Sequence, residues 1–389
     1  MNFNQYYTEK AYGDELVKKL TLTAPKQALD IGFGSGNLLR AAKRRWNDID
    51  LIGIDIDYKN IEKAEKYREI NAIELNGFDP SLPDTIVNRF GKIDLLLSNP
   101  PYFSHQFDST TKSILQSVGL LDCLSSKLKT IPAELVFLAQ NLRLLSENGE
   151  LGIILPAGLI SGERWKNVRR YLFSNYHVSN VIQLPINCFK KTDAQTFILT
   201  IKKKVSYDSS SVNLSHASVN QSLLINLKEA EQRADFNYYF NKDQLKSTSQ
   251  FDELDYQVFR GNKSFHDLKS ISDEYLHTTS LAKIPNSINL RTMPIVGCKN
   301  TQSGDIVLAR VGRRCLGRVH YINIGSLPIS DCIICIRPKN KKIGNTIFKA
   351  LSSINFQTYV EKVALGVGAK YITHQTIAQF LTGKYYETT

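Results

Sequence analysis

The chain of 389 residues has no apolar run of the ~18 residues needed to cross a bilayer. Its opening, Met1 to Lys10, also lacks a basic segment followed by an apolar one. Both absences predict a protein that neither spans nor crosses a membrane and works in the cytoplasm. A dense cysteine framework is missing too. The six cysteines (Cys123, Cys188, Cys298, Cys315, Cys332 and Cys335) are scattered among apolar residues, the usage of reduced thiols. Only Cys332 and Cys335 have a metal-like spacing. They lie in a β-branched run, Asp331-Cys-Ile-Ile-Cys-Ile336, where residues three apart point to opposite faces of a strand. Buried structural thiols are expected there, and no metal. Internal repeats are absent.

Acidic residues are scarce at one end. Residues 281–389 hold 15 Lys plus Arg against 4 Asp plus Glu, a balance of +11, which leaves +1 for residues 1–280 out of the total of +12. A near-neutral body with a basic end suggests a polyanionic partner, because nucleic-acid affinity comes largely from neutralised phosphates. Charge alone would equally suit a solvated surface kept for solubility.

The length favours two domains. From residue 27 to about 203, short β-branched runs alternate with amphipathic helical stretches, the pattern of a doubly wound α/β domain with a mostly parallel sheet. The strands expected are Gln27–Ile31, Asp50–Ile54, Asp94–Leu97, Glu150–Leu155, Val178–Leu184 and Thr196–Lys202. The last pair is too close for a helical crossover and reads as an antiparallel hairpin closing the sheet. Residues 204–222 are polar and Ser-rich and read as a linker. Beyond it, residues 223–389 suggest a basic, β-rich α+β domain. Gly304–Val311 and Ser330–Arg337 are its expected strands, and Ile347–Lys362 an expected helical segment.

Two constellations carry chemistry. In Ala28-Leu-Asp-Ile-Gly-Phe-Gly-Ser-Gly-Asn-Leu38 a strand with Asp30 runs into Gly32, Gly34 and Gly36 and then a helix, so a ligand can approach bare backbone. The next strand ends in Gly53-Ile-Asp55, an acid placed to accept both hydroxyls of an adenosine ribose. This pairing suits NAD as well as S-adenosylmethionine, and a plain tight turn is the bland alternative.

The second is Asp94-Leu-Leu-Leu-Ser-Asn-Pro-Pro-Tyr-Phe103, an apolar strand delivering Asn99, two prolines and Tyr102 to its C-terminal edge. An exocyclic amine on an aromatic ring is a poor nucleophile because its lone pair is delocalised. If the Asn99 side-chain oxygen and the Pro100 carbonyl both accept its protons, the lone pair is freed for attack on a sulfonium methyl. Tyr102 would stack on the flat substrate.

Together these segments resemble the gamma-class N6-adenine DNA methyltransferases of the TaqI type, well over residues 3–203 and in outline beyond. The resemblance implies S-adenosylmethionine as cofactor, double-stranded DNA as substrate, a flipped adenine methylated on N6 at a specific site, and a role in restriction-modification or host defence. It implies cofactor contacts from Thr8 (in Tyr6-Tyr-Thr8), Asp30, the glycine loop, Asp55, Phe78, Phe137 and Asn99. In Leu75-Asn-Gly-Phe-Asp79, Gly77 stands where the family has an acid for the cofactor adenine, and Asp79 is the candidate substitute. Phe189 is the implied partner of the flipped base, with Lys190 and Lys191 near phosphates; taken alone, Phe137 and Phe189 would be core aromatics. Arg310, Arg313, Arg314 and Arg318, on one expected hairpin, are candidate contacts to base edges or phosphates. No nuclease segment is evident, so any restriction endonuclease is expected to be a separate partner and the enzyme itself a monomer. RNA adenine and protein-glutamine methylation are the competing readings, with a dead specificity module as the non-enzymatic one.

Overall fold

The computed structural model describes residues 8–186, 188–189, 195–203, 211–240, 251–252, 255–312, 314–365 and 369–383. Lys190, Lys191 and Arg313 lie outside the described residues. The chain divides into two compact units, Met1–Phe236 and Asn237–Thr389. No helix among the described residues is long and apolar enough to cross a membrane.

The first unit begins with β1 (Gln27–Ile31), β2 (Asp50–Asp55), β3 (Asn71–Glu74) and β4 (Leu95–Ser98), separated by helices. A short hairpin, β5 (Ser104–Gln106) and β6 (Thr130–Pro132), precedes β7 (Glu150–Pro156). Then come β8 (Tyr176–Gln183), β9 (Thr196–Lys203), β10 (Ser211–His216) and β11 (Val219–Asn226). Apart from the hairpin they form one nine-stranded sheet in the order β11-β10-β8-β9-β7-β4-β1-β2-β3. Strands β4 and β7 are buried along their whole length, which explains their unbroken apolar runs. The chain lays β1, β2 and β3 outward in one direction, then crosses back to pair β4 with the other side of β1. That reversal opens a crevice at the C-terminal ends of β1 and β4, where ligands of such sheets bind.

Close packing fixes the layer above. The helix Lys10–Lys18 rests Leu16 on Gly152 of β7, where an added Cβ would come within 2.4 Å of the leucine.

Two sequence expectations are corrected here. The antiparallel β8–β9 pair is present, but β9 sits between β7 and β8, antiparallel to both, and does not close the sheet. Strands occupy most of residues 211–222 of the expected linker and run on to Asn226 of the expected second domain: β10 pairs parallel with β8, and β11 antiparallel with β10. In Ser211-Val-Asn-Leu-Ser215 only Val212 and Leu214 supply buried apolar side chains, a period of two that the many serines conceal. The first unit therefore runs to Phe236. Buried Arg169 ties this extension down, donating to the carbonyls of Leu159 (3.2 Å), Gly162 (2.9 Å) and Glu231 (3.0 Å).

The second unit holds β12 (Tyr256–Arg260), β13 (Asn286–Thr292), β14 (Ile306–Ala309), β15 (Val319–Ser326) and β16 (Ile333–Pro338) in the order β12-β16-β14-β15-β13. Alternation along these strands makes two cores. Ile306, Leu308, Ile334 and Ile336 pack under the helices Lys341–Leu351, Ile354–Val363 and His374–Thr382, while Val307, Ala309, Ile333 and Cys335 pack on the other face with Leu276 and Leu281. The single helical segment expected over 347–362 is two helices, because the Ser353 side chain accepts the Phe356 N–H and caps a new one. Of the paired cysteines, Cys335 is buried with its thiol 3.4 Å from the Asp305 carboxylate, whereas Cys332 is half-buried beside Asp331.

Candidate active site

The glycine loop follows β1 directly. Gly32, Gly34 and Gly36 have φ of +81°, +55° and +75°, a left-handed run closed to most side chains. The Gly34 N–H donates to the Asp55 carboxylate at 2.9 Å, and Asp55 also accepts from the Asp57 N–H (2.9 Å) and Asn60 Nδ2 (3.0 Å). The end of β2 thus holds the loop in shape. Asp30 is 2 % exposed, and its Oδ1 has no hydrogen-bond partner among the described residues. Burial, and then the nearby Asp55 charge, hold its pKa well above the usual carboxylate range.

Across the crevice, Asn99 leaves β4. Its Nδ2 donates to Thr8 Oγ1 at 3.0 Å, and its Oδ1 accepts the Tyr102 hydroxyl at 2.9 Å. The Thr8 carbonyl in turn accepts Asn37 Nδ2 at 2.7 Å. The amide orientation follows: the nitrogen is turned to Thr8 and the oxygen away from it. The Tyr102 hydroxyl also lies 3.3 Å from the Ile154 carbonyl. Burial, and then the Glu134 charge, raise the Tyr102 pKa well above the usual phenol value.

Phe78 and Phe137 meet edge to face at 5.4 Å, and Phe78 stacks on His105 at 4.0 Å. Phe137 also explains Gly77. A Cβ there would lie 2.6 Å from the Phe137 ring, so no acidic side chain fits. Asp79 is turned to its own turn, accepting the Ser81 N–H (2.8 Å) and hydroxyl (2.7 Å), bonds that lower its pKa. The 77–79 loop is instead held by Gln140, whose Nε2 donates to the carbonyls of Gly77 (3.0 Å) and Asp79 (2.7 Å).

The structure therefore gathers Thr8, Asp30, the three glycines, Asp55, Asn99, Pro100 and Tyr102 around one crevice, with Phe78 and Phe137 in contact at the Gly77 turn. Phe189 is not presented at a surface. It is 2 % exposed, in the core with Leu16 and Leu184, its ring 6.2 Å from Tyr12. In the second unit the hairpin arginines diverge. Arg318 donates to the carbonyls of Leu281 and Arg314, both at 2.9 Å, tying its loop to the segment at Leu281. Arg310 donates to the Asp331 carbonyl at 3.1 Å, and Arg314 is exposed.

Sequence reading missed His105, Gln140 and Glu134. The last two carried a signal: they are polar residues, with Asn141, buried in Ala133–Leu144, a mainly apolar helix buried nearly all round. Glu134 is 8 % exposed, its Oε2 has no partner among the described residues, and burial raises its pKa to about 7. The helix start is fixed to the turn's exit by the Ala133 N–H, which donates to the Phe103 carbonyl at 2.9 Å.

A left-handed glycine cradle facing an Asn-Pro-Pro-Tyr turn, on a large mostly parallel sheet, defines a methyltransferase-like α/β fold. The chain belongs to the N-6 DNA Methylase family, which residues 2–267 match. It is 27 % identical over 206 residues to the type II methyltransferase M.BanIII of Aneurinibacillus aneurinilyticus, covering 46 % of this chain and 35 % of that protein. To the type II methyltransferase M.AccI of Acinetobacter calcoaceticus it is 26 % identical over 160 residues, covering 40 % and 28 %. The matched stretch thus spans about a third of these relatives. In fold it is similar to the type IIG restriction endonuclease BpuSI, with a TM-score of 0.51 and 13 % identity over 95 % of this chain and 58 % of that one.

Proposed function

We propose that this chain is a site-specific DNA methyltransferase of the gamma, TaqI-like class, which transfers a methyl group from S-adenosylmethionine to N6 of an adenine turned out of the duplex. Its role would be restriction-modification, the activity named in its relatives. The observation that carries the reading is Asn99: the Thr8 contact turns its oxygen toward Tyr102, at the C-terminal edge of the strand facing the glycine cradle.

The residues fit the cofactor. The bare Gly32–Gly36 backbone leaves room for an amino-acid moiety, with the orphaned Asp30 oxygen beneath it. Asp55 keeps acceptor capacity for ribose hydroxyls, and Phe78 and Phe137 form an aromatic corner for a purine. Bound there, the cofactor supplies an electrophilic methyl group. Asn99 Oδ1 and the Pro100 carbonyl then accept the protons of the substrate amine, localising its lone pair, while the Tyr102 ring offers a stacking face. The Asn99 oxygen has a second lone pair for the amine beside the one that the Tyr102 hydroxyl uses.

Purified protein incubated with labelled S-adenosylmethionine and separate duplex DNA, RNA and protein substrates tests this. N6-methyladenine in digested DNA is expected. Label found only in RNA or in a protein glutamine overturns the reading.

A further inference from the structure

Arg260 and His374 line a concavity at one end of edge strand β12. A cavity of about 500 Å³ there is lined by Arg260, Asn262, Ser264, Asp331 and His374. Asn262 is engaged, donating to the Gly297 carbonyl and accepting the Lys299 N–H, both at 2.9 Å. Ser264 caps its own helix by accepting the Asp267 N–H at 3.2 Å. Among the described residues, neither the Arg260 guanidinium nor the His374 ring has a hydrogen-bond acceptor. Yet the charges of Arg260 and Arg310 both bear on His374. Burial, then Arg260, then Arg310 lower the His374 pKa; burial and then Arg260 lower that of Arg310.

Asp331 is the acidic side chain lining the cavity. Its Oδ1 already meets the Cys332 thiol at 3.5 Å, and one carboxylate does not balance the two guanidiniums, Arg260 and Arg310, beside a His374 ring that they hold toward its neutral form. His374 also opens the nine-residue helix His374–Thr382, whose N-terminus carries partial positive charge. Holding such groups together in a concavity is unfavourable until an anion enters. One with several acceptor oxygens matches a guanidinium fork beside an imidazole.

We propose that this cavity is a phosphate seat, in which Arg260 and His374, backed by Arg310, grip one backbone phosphodiester of the DNA duplex. The inference rests on the reading of the chain as a DNA methyltransferase. A phosphate contact carries no sequence information; it sets the register of the second unit on the duplex.

The test uses the full chain and a fluorescent duplex that the wild type methylates, with binding followed against salt. Arg260→Ala and His374→Ala are each expected to weaken binding about tenfold, equally for cognate and random duplexes, and Arg260→Ala also to lower the log–log salt slope by about 1. Arg260→Lys should restore the slope, and Lys349→Ala, on an exposed helix position, should cause a smaller loss. Cofactor affinity should be unchanged throughout. Wild-type affinity in both alanine variants, or a wild-type slope in Arg260→Ala, in protein that still methylates DNA, overturns the seat and leaves the methyltransferase reading standing. A wild type that ignores DNA overturns both. Inorganic phosphate shifting the His374 ring resonances in such a protein would mark a free-phosphate site instead, and so count against the duplex assignment.

Discussion

Asn99 and Glu134 show how much of this chemistry is settled by what lies one contact away. Asn99 is useful because Thr8 takes its nitrogen, so Asn99→Ala removes an oriented acceptor without touching the glycine cradle. Methyl transfer is expected to fall by ~10²-fold or more while calorimetry finds cofactor affinity nearly unchanged; wild-type turnover would sink the assignment. Gly77 lies under the Phe137 ring. Gly77→Asp, which restores the acid of similar enzymes, should displace Phe137 and weaken cofactor binding, detected in the same titration. Glu134 leads to a pH effect. Its pKa of about 7 is raised from 4.5 by burial, so the folded state favours the proton and the associated stability is full below pH 4.5 and lost as pH rises toward 7. Glu134→Gln should therefore match the wild type near pH 4.5 and exceed it by about 2–3 kcal/mol at pH 8, read by urea unfolding at both pH values. A gap that does not widen with pH would mean that Glu134 is charged and paired in solution.

At the scale of elements, what the sequence made legible and what it hid have distinct causes. Strands β1, β2, β4, β7 and β9 could be read because burial on two faces forces nearly continuous apolar runs, and the Asn-Pro-Pro-Tyr turn because Pro fixes backbone where a strand ends. The cradle was legible because left-handed backbone demands glycine. Strands β10 and β11 were not: β11 is exposed along most of its length, so its side chains answer to water and not to a core. The Phe189 side chain lies in the core, where its own composition put it, because apolar rings are buried unless a partner is present. The extension of the first unit has a direct consequence. A fragment ending at 203 loses the carbonyl partner of Arg169 at Glu231 and the cover of β8, whereas one ending at 236 keeps both. Residues 1–236 should fold and bind cofactor, and residues 1–203 should melt at a clearly lower temperature or aggregate, as circular dichroism would record. Equal melting of the two fragments would return the boundary to residue 203.

At the scale of the whole molecule, the charge asymmetry of +11 against +1 told of a polyanion, but it could not separate gripping cations from bracing ones. Arg318 bonds the carbonyls of Leu281 and Arg314, while Arg260, counted in the near-neutral part, stands without an acceptor among the described residues. Substrate access depends on the crevice as a whole. An adenine paired and stacked in a duplex cannot reach an acceptor pair at a sheet edge, so on the proposed reading it must leave the helix at a cost of a few kcal/mol. An aromatic face in the crevice returns ~1–3 kcal/mol of that. On the same proposed reading Tyr102 takes this role, and Phe189, being core, is not a clean probe of it, since Phe189→Ala would cost about 3–5 kcal/mol in folding. A duplex with 2-aminopurine at the target position should brighten on binding the wild type and much less on binding Tyr102→Ala. Tyr102→Phe, which keeps the ring and loses the hydroxyl's bonds to Asn99 and the Ile154 carbonyl, should brighten nearly as the wild type and turn over within about tenfold of it. If the wild type leaves the fluorescence at the duplex level on a site it methylates, the base is not extruded and the stacking role of Tyr102 is wrong.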